Sequence, residues 1–362
     1  MPGPTRASVV VVTHQAASLV EGTLRHIVDD PHGPTDVVVV DNASTDGTDE
    51  IVGQLGVRLL WLEENRGFGA AVNEGFRVAT EDTVVILNHD VAVAPGWLPP
   101  LLAALEEPGV GAAMATIELA ASPGHFNTSG GRMTVSGLAW VSDYGVPIPE
   151  EAGPVTVPFP SGAAFAMRRD VWDRIGGMWG DLFLYHEDTD LGWRLRLVGL
   201  RTVRVPGSRV AHDYDFSRNP EKLSLLERNR LMLLLANYRR STVALLAPAL
   251  ILHEMGTLWV ALRQRWGRAK LRTWVDVFRR RRAIGERYRW VQAGRSVGDA
   301  VILHQAVGSL HEIGLPGMEA PRGSAFVSRL TDIYVGVVRP VVAAIDRRHG
   351  LSVQWPRSSG GG

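Results

Sequence analysis

The chain has 362 residues, of which 45% are hydrophobic, so it can bury one large hydrophobic core or two smaller ones. It contains no cysteine, which excludes disulfide bonds, thiolate metal sites and thiol catalysis. The formal net charge is zero, but twelve Arg and Lys residues fall between Arg263 and Arg295 against two acidic residues, so one segment is strongly basic and the remainder is acidic.

Short Val-rich runs alternate with segments of helical spacing in the N-terminal part of the chain. Strands are predicted at residues 8–13, 36–40, 58–62 and 83–87, with helices at 19–28 and 70–78. Apolar runs that end at polar residues are typical of parallel strands buried on both faces of a sheet. The alternation predicts a Rossmann-like α/β domain, in which ligands bind at the carboxyl ends of the strands.

Polar residues follow each predicted strand at the edge where ligands are expected. The fourth strand leads into Asn88, His89 and Asp90, and the carboxylate of Asp90 is well placed to bind a hard cation such as Mg²⁺ or Mn²⁺. Such a cation would neutralise the charge that develops on a leaving diphosphate. The alternative is an ordinary turn stabilised by a local hydrogen bond of the Asn or Asp side chain.

Residues 65–75 form a glycine-punctuated entry to the second predicted helix. Glycine lets the backbone approach a ligand closely, and a helix N-terminus attracts anionic groups. The spacing departs from the dinucleotide pattern G-x-G-x-x-G, because Val72 stands at the third position. The segment therefore favours an anionic ligand over a nicotinamide cofactor.

Residues 121–160 are rich in Gly, Ser and Pro and include the aromatic residues Phe126, Trp140 and Tyr144. This composition predicts looped or antiparallel structure of the kind that shapes an acceptor pocket. An acidic cluster follows, with Glu187, Asp188 and Asp190 within four residues. A carboxylate here could act as general base for an acceptor hydroxyl, while the alternative is an acidic cluster that only stabilises a helix N-terminus.

Two further residues are candidates for supporting roles. Arg194 lies four residues after Asp190, which predicts an ion pair on the helix surface. His212 follows a strand predicted at residues 201–205, and a neutral imidazole there could complete the coordination begun by Asp90. A lone histidine is also common as a purely structural residue.

The C-terminal third is predicted to be helical at residues 227–238, 241–262 and through the basic segment to 295. Pro248, His253 and Glu254 interrupt the apolar run, which favours an interfacial or core helix over a membrane-spanning one. Basic residues interleaved with aromatic ones are typical of a helix on an anionic membrane surface, although a nucleic-acid contact or a solvated basic face shows the same pattern.

Taken together, the motifs resemble the inverting family-2 glycosyltransferases with the GT-A fold, over about residues 8–240. The segments that carry the resemblance are residues 9–13, 40–48, 65–75, 87–91, 162–169, 183–194 and 210–217. The resemblance implies a mixed, mostly parallel sheet flanked by helices, with a helical C-terminal extension. It divides the chain into a catalytic domain at 1–225, a helical basic region at 226–350 and a disordered tail at 351–362.

The resemblance also implies a role for each site residue. Asp188 matches the catalytic base, Asp90 and His212 match the ligands of Mg²⁺ or Mn²⁺, and Glu187, Asp190 and Arg194 support them. The donor-binding positions are Thr13, Asp41, Asn42, Arg66, Asn88 and His89. Asn88 departs from the Asp of the family's Asp-x-Asp motif, and His14 stands where many members carry an aromatic residue.

The implied reaction is a single displacement with inversion at the anomeric carbon of a nucleoside-diphosphate sugar. Within the family, the motifs look most like bacterial rhamnosyltransferases, which implies dTDP-L-rhamnose as donor and a polyprenyl-diphosphate-linked or polysaccharide acceptor. Galactofuranosyl or other hexosyl transfer is the alternative. A nucleotide-sugar- or polysaccharide-binding protein with a degenerate active site is another, which Asn88 favours.

The absence of an apolar segment before residue 8 predicts a cytoplasmic protein. The implied lipid-linked acceptor places the protein on the inner face of the membrane. We expect no nucleic-acid partner, and a homo-oligomer is possible.

Overall fold

The computed structural model of the chain describes residues 5–212, 220–306 and 324–354. The strands within these ranges are β1 (Thr5–Thr13), β2 (Pro34–Asp41), β3 (Arg58–Trp61), β4 (Thr83–Asn88), β5 (Val91–Val93), β6 (Val110–Leu119), β7 (Ser122–Thr128), β8 (Gly131–Met133), β9 (Ala139–Val141), β10 (Val155–Val157), β11 (Ala164–Arg168) and β12 (Arg201–His212). The helices are α1 (Val20–Val28), α2 (Thr48–Gln54), α3 (Phe68–Val78), α4 (Leu98–Glu106), α5 (Arg169–Ile175), α6 (Glu187–Leu197), α7 (Pro220–Asn237), α8 (Arg240–Arg263), α9 (Gly267–Arg279), α10 (Arg281–Gly294), α11 (Asp299–Gln305) and α12 (Ser324–Arg348).

Ten of these strands form one mixed sheet flanked by helices, as predicted. In one half β4, β1, β2 and β3 run parallel to one another in that order. In the other half β11 pairs antiparallel with β4 and β6, and β12 runs parallel to β6. Since β1 pairs Thr13 with Asp41 and Val12 with Asn88, the carboxyl ends of three parallel strands meet at one edge.

The segment predicted to be looped or antiparallel supplies four short strands. β7 pairs antiparallel with β6, β10 pairs antiparallel with β12, and β8 and β9 form a separate two-stranded hairpin. These strands extend the mixed sheet beyond its Rossmann-like half. Trp140 on β9 is buried, so the hairpin brings an aromatic ring against the α/β domain.

The C-terminal extension is helical, as expected, and packs onto the α/β domain through a second apolar core. Trp193 of α6 contacts the ring of Tyr238 edge-on, with 4.7 Å between ring centroids. α7 runs continuously across the expected boundary between residues 225 and 226, and the division into domains stays a prediction. Most of the expected tail falls on residues 355–362, which lie outside the described ranges.

The apolar run of the C-terminal region forms the single helix α8, which includes Pro248. Within the described part of the chain, α8 is the one helix long and apolar enough to cross a membrane, by length and composition. Only a small share of its apolar segment is buried. Its exposed side therefore presents apolar side chains to the surroundings.

Candidate functional site

The ends of β1 and β2 are joined by a buried carboxylate. Asp41 accepts hydrogen bonds from the hydroxyl of Thr13 at 2.8 Å and from the backbone N–H of Ser44 at 2.7 Å. Thr13 and Asp41 are both fully buried. These two residues therefore fix the shape of the strand edge from inside the protein.

A second set of hydrogen bonds connects this edge to the start of α3. The side chain of Asn42 donates to Asn65 Oδ1 at 2.9 Å and accepts from the backbone N–H of Arg66 at 2.9 Å. The guanidinium of Arg66 is exposed and lies 3.1 Å from the carboxylate of Glu74. Asn42 thus holds the glycine-rich turn against the sheet, with the Arg66 side chain facing solvent.

The end of β4 brings Asp90 to His212. β5 pairs antiparallel with β12 and sets Val91 opposite His212, so the residue before β5 lies beside the imidazole. Asp90 Oδ1 is 3.2 Å from His212 Nε2, and His212 is buried. Burial alone would raise the pKa of Asp90, but the contact with His212 outweighs burial and lowers this pKa below its ordinary value.

Asp90 and His212 supply the donor types that a divalent cation accepts, an anionic carboxylate oxygen and an imidazole nitrogen. The two donors meet at the strand edge, Asp90 from the turn between β4 and β5 and His212 from the end of β12. Among the described residues no cluster of three such side chains occurs, so water and substrate oxygens would have to complete a coordination sphere. The pair fits a cation that is held partly by its substrate.

Asn88 and His89 point in different directions from the same turn. Asn88 lines the cavity described below, whereas His89 Nδ1 lies 3.2 Å from the backbone carbonyl of Val12. The backbone carbonyl of His89 accepts a hydrogen bond from Thr23 at 2.7 Å. Both polar contacts of His89 are therefore with other residues of the chain, and its side chain does not line the cavity.

The loop before α6 has an unusual backbone, and α7 stabilises it. Phe183, Tyr185 and His186 all have positive φ, between 65° and 72°, a region that residues other than glycine rarely occupy. The side-chain amide of Asn229 donates to the carbonyls of Leu182, Leu184 and Tyr185, at 2.7–2.9 Å. Strained backbone of this kind persists only where surrounding contacts determine it, and it clusters at functional sites.

Glu187 and Asp188 begin α6 directly after this loop. Burial is the largest cause that raises the pKa of both carboxyl groups, and it takes the pKa of Glu187 to about 8. The neighbouring charge of Asp188 adds to the shift of Glu187. The backbone N–H of Thr189 donates to Asp188 Oδ1 at 2.6 Å, which favours the ionised form of Asp188. One of the two adjacent carboxyl groups is thus held neutral near pH 7.

A cavity of about 300 Å³ opens between the sheet edge, the β9 hairpin and α7. It collects several predicted site residues, namely Asn88, Glu187, Asp188 and His212. Its wall does not include Thr13, Asp41, Asn42 or Arg66, which lie along the neighbouring strand ends. Most of the predicted residues therefore fall into two groups, one at this cavity and one at the ends of β1 and β2. Asp90 lies beside the first group through its contact with His212.

Several cavity residues were not predicted from the sequence as site residues. They are Phe68, Asn127, Trp140, Tyr185 and Lys222, among others. The aromatic content of residues 121–160 indicated an acceptor pocket without identifying its wall. Lys222 carries no local signal, because only the packing of α7 brings its first turn to the cavity.

The predicted pair of Asp190 and Arg194 forms, with 2.8 Å between Oδ2 and Nε, but it is buried rather than at the helix surface. Asn237 of α7 donates to the other carboxylate oxygen of Asp190 at 2.9 Å, and Arg287 of α10 lies 3.5 Å away. These contacts connect the helix that carries Asp188 to two helices of the C-terminal region.

We expect Glu187→Gln to remove a pH-dependent loss of stability. The folded protein holds the Glu187 proton up to a pKa of about 8, against 4.5 for an exposed Glu, so wild-type stability should fall as pH rises between these values. The slope from this one group is at most about 1.4 kcal/mol per pH unit. Urea unfolding of both proteins from pH 5 to 9 measures it, and a pH-independent difference between them would contradict the assignment.

Residues 8–176 match the family profile described as Glycosyl transferase family 2. Over 243 residues the chain is 31% identical to the N-acetylglucosaminyl-diphospho-decaprenol L-rhamnosyltransferase of Mycobacterium tuberculosis (strain ATCC 25618 / H37Rv), which covers 60% of this chain and 79% of that relative.

Solved structures share the fold at lower sequence identity. The crystal structure of GalNAc-T7 with UDP, GalNAc and Mn²⁺ superposes with a TM-score of 0.54 at 19% identity, over 64% of this chain and 48% of that chain. This chain thus spans about half the length of GalNAc-T7. The structure of S. aureus TarS 1–349 in complex with UDP superposes with a TM-score of 0.52 at 15% identity, over 98% of this chain and 95% of that chain.

The structural likeness concerns the fold, which is the expected GT-A fold. The rhamnosyltransferase from M. tuberculosis adds similarity in sequence to this similarity in fold. With the profile match over residues 8–176, these findings lead to one conclusion: the chain belongs to glycosyl transferase family 2 and is a glycosyltransferase.

Proposed function

We propose that the protein transfers L-rhamnose from dTDP-L-rhamnose, with inversion, to a sugar carried on a polyprenyl diphosphate during cell-envelope synthesis. The main observation that supports a transfer reaction is that Asp188, Asn88 and His212 line one cavity at the carboxyl edge of the sheet. The choice of rhamnose and of a lipid-linked acceptor rests on the similarity to the M. tuberculosis rhamnosyltransferase.

Asp188 is the proposed general base. It is half-buried at the cavity wall, and the backbone N–H of Thr189 stabilises its charged form. As the acceptor oxygen bonds to the anomeric carbon, Asp188 takes the hydroxyl proton and the bond to the nucleoside diphosphate breaks. A base whose pKa is raised by burial accepts this proton more readily than an exposed carboxylate does.

Asp90 and His212 are the proposed residues that would hold Mg²⁺ or Mn²⁺ at the diphosphate of the donor. The bound cation would supply charge neutralisation for the leaving group. Asn88 lines the cavity beside them and contributes an uncharged amide where the family motif has a carboxylate. Within residues 88–90, Asp90 is then the one negatively charged side chain that would balance the charge of the cation.

The nucleobase is proposed to lie along the ends of β1 and β2. Thr13 and Asp41 are buried and hydrogen-bonded to each other, so their role in donor binding would be to fix the shape of this edge. The exposed guanidinium of Arg66 and the turn held by Asn42 form the accessible part of that edge. His89 would contribute through its own backbone, in the turn between β4 and β5.

The C-terminal helices are proposed to lie on the inner face of the cell membrane. α8 places ionised Glu254 inside, against Arg230 and Lys270, while Met255 and Trp259 are more than half exposed. A helix of a water-exposed surface has the opposite arrangement, with apolar residues inside. Arg263 stacks over Trp259 at 4.7 Å, which suits the boundary between apolar chains and anionic headgroups.

Replacing Asp188 by Asn should lower kcat by about 10²–10⁴-fold, because the variant keeps the shape of the side chain but cannot take the proton. Donor binding, followed as the rise in Tm with dTDP-rhamnose, should stay close to that of the wild type. If Asp188→Asn loses the donor-induced shift, Asp188 belongs to donor or metal binding instead.

Metal dependence is tested in a thermal-shift panel of dTDP-rhamnose, UDP-galactofuranose, UDP-glucose and GDP-mannose, each with and without Mn²⁺ or Mg²⁺. We expect one donor to raise Tm only when metal is present, and Asp90→Ala and His212→Ala to abolish that increment. Asp30→Ala, on the loop after α1, is a matched acidic control. Transfer that persists in EDTA would show that the metal assignment is wrong. If a donor other than dTDP-rhamnose raises Tm in the presence of metal, the sugar of that donor replaces rhamnose in the proposal.

Membrane binding should depend on the exposed face of α8. We expect Trp259→Glu to weaken binding to phosphatidylglycerol-containing vesicles by at least about tenfold, a change of about 1.4 kcal/mol. Trp61→Glu is the matched control, because Trp61 on β3 is 51% exposed and Trp259 is 53% exposed. Equal loss in both variants, measured by vesicle flotation, would remove α8 as the docking face.

A further inference from the structure

A second cavity lies in the C-terminal region, away from the proposed reaction site. It has a volume of about 530 Å³ and is formed between α7, α8, α9 and α10. We name it the C-terminal groove and define it by Leu235, Arg240, Val277, Phe278, Arg281 and Tyr288. Its volume is within the range of small-molecule sites, about 300–1,000 Å³. None of the residues that line the reaction cavity lines this groove.

The groove combines an apolar wall with two cationic side chains. Arg240 lies over the ring of Tyr288 at 5.2 Å, and Arg281 lies over the ring of Phe278 at 4.7 Å. Both arginines are exposed, and among the described residues neither forms an ion pair with an acidic side chain. Arg281 Nη1 donates to the backbone carbonyl of Phe278 at 3.2 Å. The other N–H groups of Arg281 and those of Arg240 are therefore available to a phosphate, which arginine binds strongly.

The groove opens towards apolar surface. Phe278, at its lip, is 66% exposed and continues a stripe on α9 that also includes Leu271 and Val275. Residues spaced by three or four positions share one face of a helix, so this stripe leads along α9 to the groove. An apolar chain from a membrane that covers this face can thus reach the groove along exposed apolar side chains.

α7 lies between the groove and the reaction cavity. Leu226 lines the cavity and Leu231 lines the groove, and five residues of helix correspond to a rise of roughly 7.5 Å. The two sites lie on different faces of α7, so a ligand that uses both must pass around this helix. A lipid-linked sugar has a suitable layout, because a diphosphate separates its sugar from its chain.

We propose that the C-terminal groove binds the isoprenoid chain next to the diphosphate of the lipid-linked acceptor, with Arg240 and Arg281 binding the diphosphate. This inference rests on the proposed function, because it takes the acceptor from there. The paired cationic and apolar character of the groove fits this occupant. A nucleotide would leave the apolar wall without a partner, and a neutral lipid would leave the two arginines without one.

Gly285 of α10 gives a direct way to fill the groove. It lines the groove, and a Cβ added there would meet no atom within 4 Å. Gly285→Trp should therefore fold, and it should block the chain. Gly53→Trp on α2 is the matched control, because Gly53 is also a helical glycine with open space around it. Gly285→Ala, which adds only a methyl group, should behave as wild type.

The first measurement is binding of a dansyl-labelled polyprenyl diphosphate to the full chain in detergent. We expect Gly285→Trp to raise Kd by at least about tenfold, and Gly53→Trp to leave Kd within about twofold. The double variant Arg240→Gln and Arg281→Gln should weaken binding of the diphosphate but not of the matching polyprenol. Unchanged Kd in both Gly285→Trp and the arginine variant would overturn the groove proposal.

The second measurement separates this proposal from the proposed function. In transfer assays, Gly285→Trp should raise KM for the long-chain acceptor and leave transfer to a short-chain, water-soluble acceptor unchanged. If the wild type transfers no sugar to any polyprenyl acceptor but binds the probe in a Gly285-dependent way, the reaction proposal fails and the groove stands. If transfer is normal and Gly285→Trp changes neither KM nor Kd, the groove proposal fails and the reaction stands.

Discussion

The buried carboxylate of Asp190 is the constraint on which the arrangement of the site depends. Asp190 is fully buried, and a charge in that position is tolerated only if it is paired and hydrogen-bonded. Burial would raise the pKa of Asp190, but Arg194 and Arg287 outweigh it and hold the pKa below its ordinary value. Since its partners come from α6, α7 and α10, satisfying this one charge fixes the helix of Asp188 against the C-terminal region.

Three carboxyl groups have different environments around the reaction cavity: Glu187 and Asp188 line it, and Asp90 contacts His212 of its wall. Glu187 and Asp188 lie where burial favours their neutral forms, whereas Asp90 lies against an imidazole that favours its charged form. Groups with opposed pKa shifts are the usual basis for dividing acid–base and electrostatic roles within one site. The strained loop before α6, which Asn229 holds, leads directly into Glu187 and Asp188 and so positions this pair.

The C-terminal helices have their charges inside and much of their apolar surface outside. Glu227, Arg230, Glu254 and Lys270 form a buried ionic network between α7, α8 and α9. Removing one member of such a network leaves an uncompensated buried charge, so the network specifies how these helices pack. Ser136 of the β8–β9 turn contacts this network through Arg230 and His253, which links the helices to the hairpin at the reaction cavity.

The parallel half of the sheet, the helical C-terminal region and the polar residues at the strand ends could all be predicted from the amino-acid sequence. These features are local, because hydrophobic periodicity, turn residues and polar residues at strand ends can each be recognised within a short stretch of consecutive residues. The sequence did not indicate that Asp190 and Arg194 are buried, that Lys222 reaches the cavity, or that Thr13 and Asp41 face inward. Those outcomes depend on which helix packs on which strand, and contacts between residues far apart in sequence set that packing.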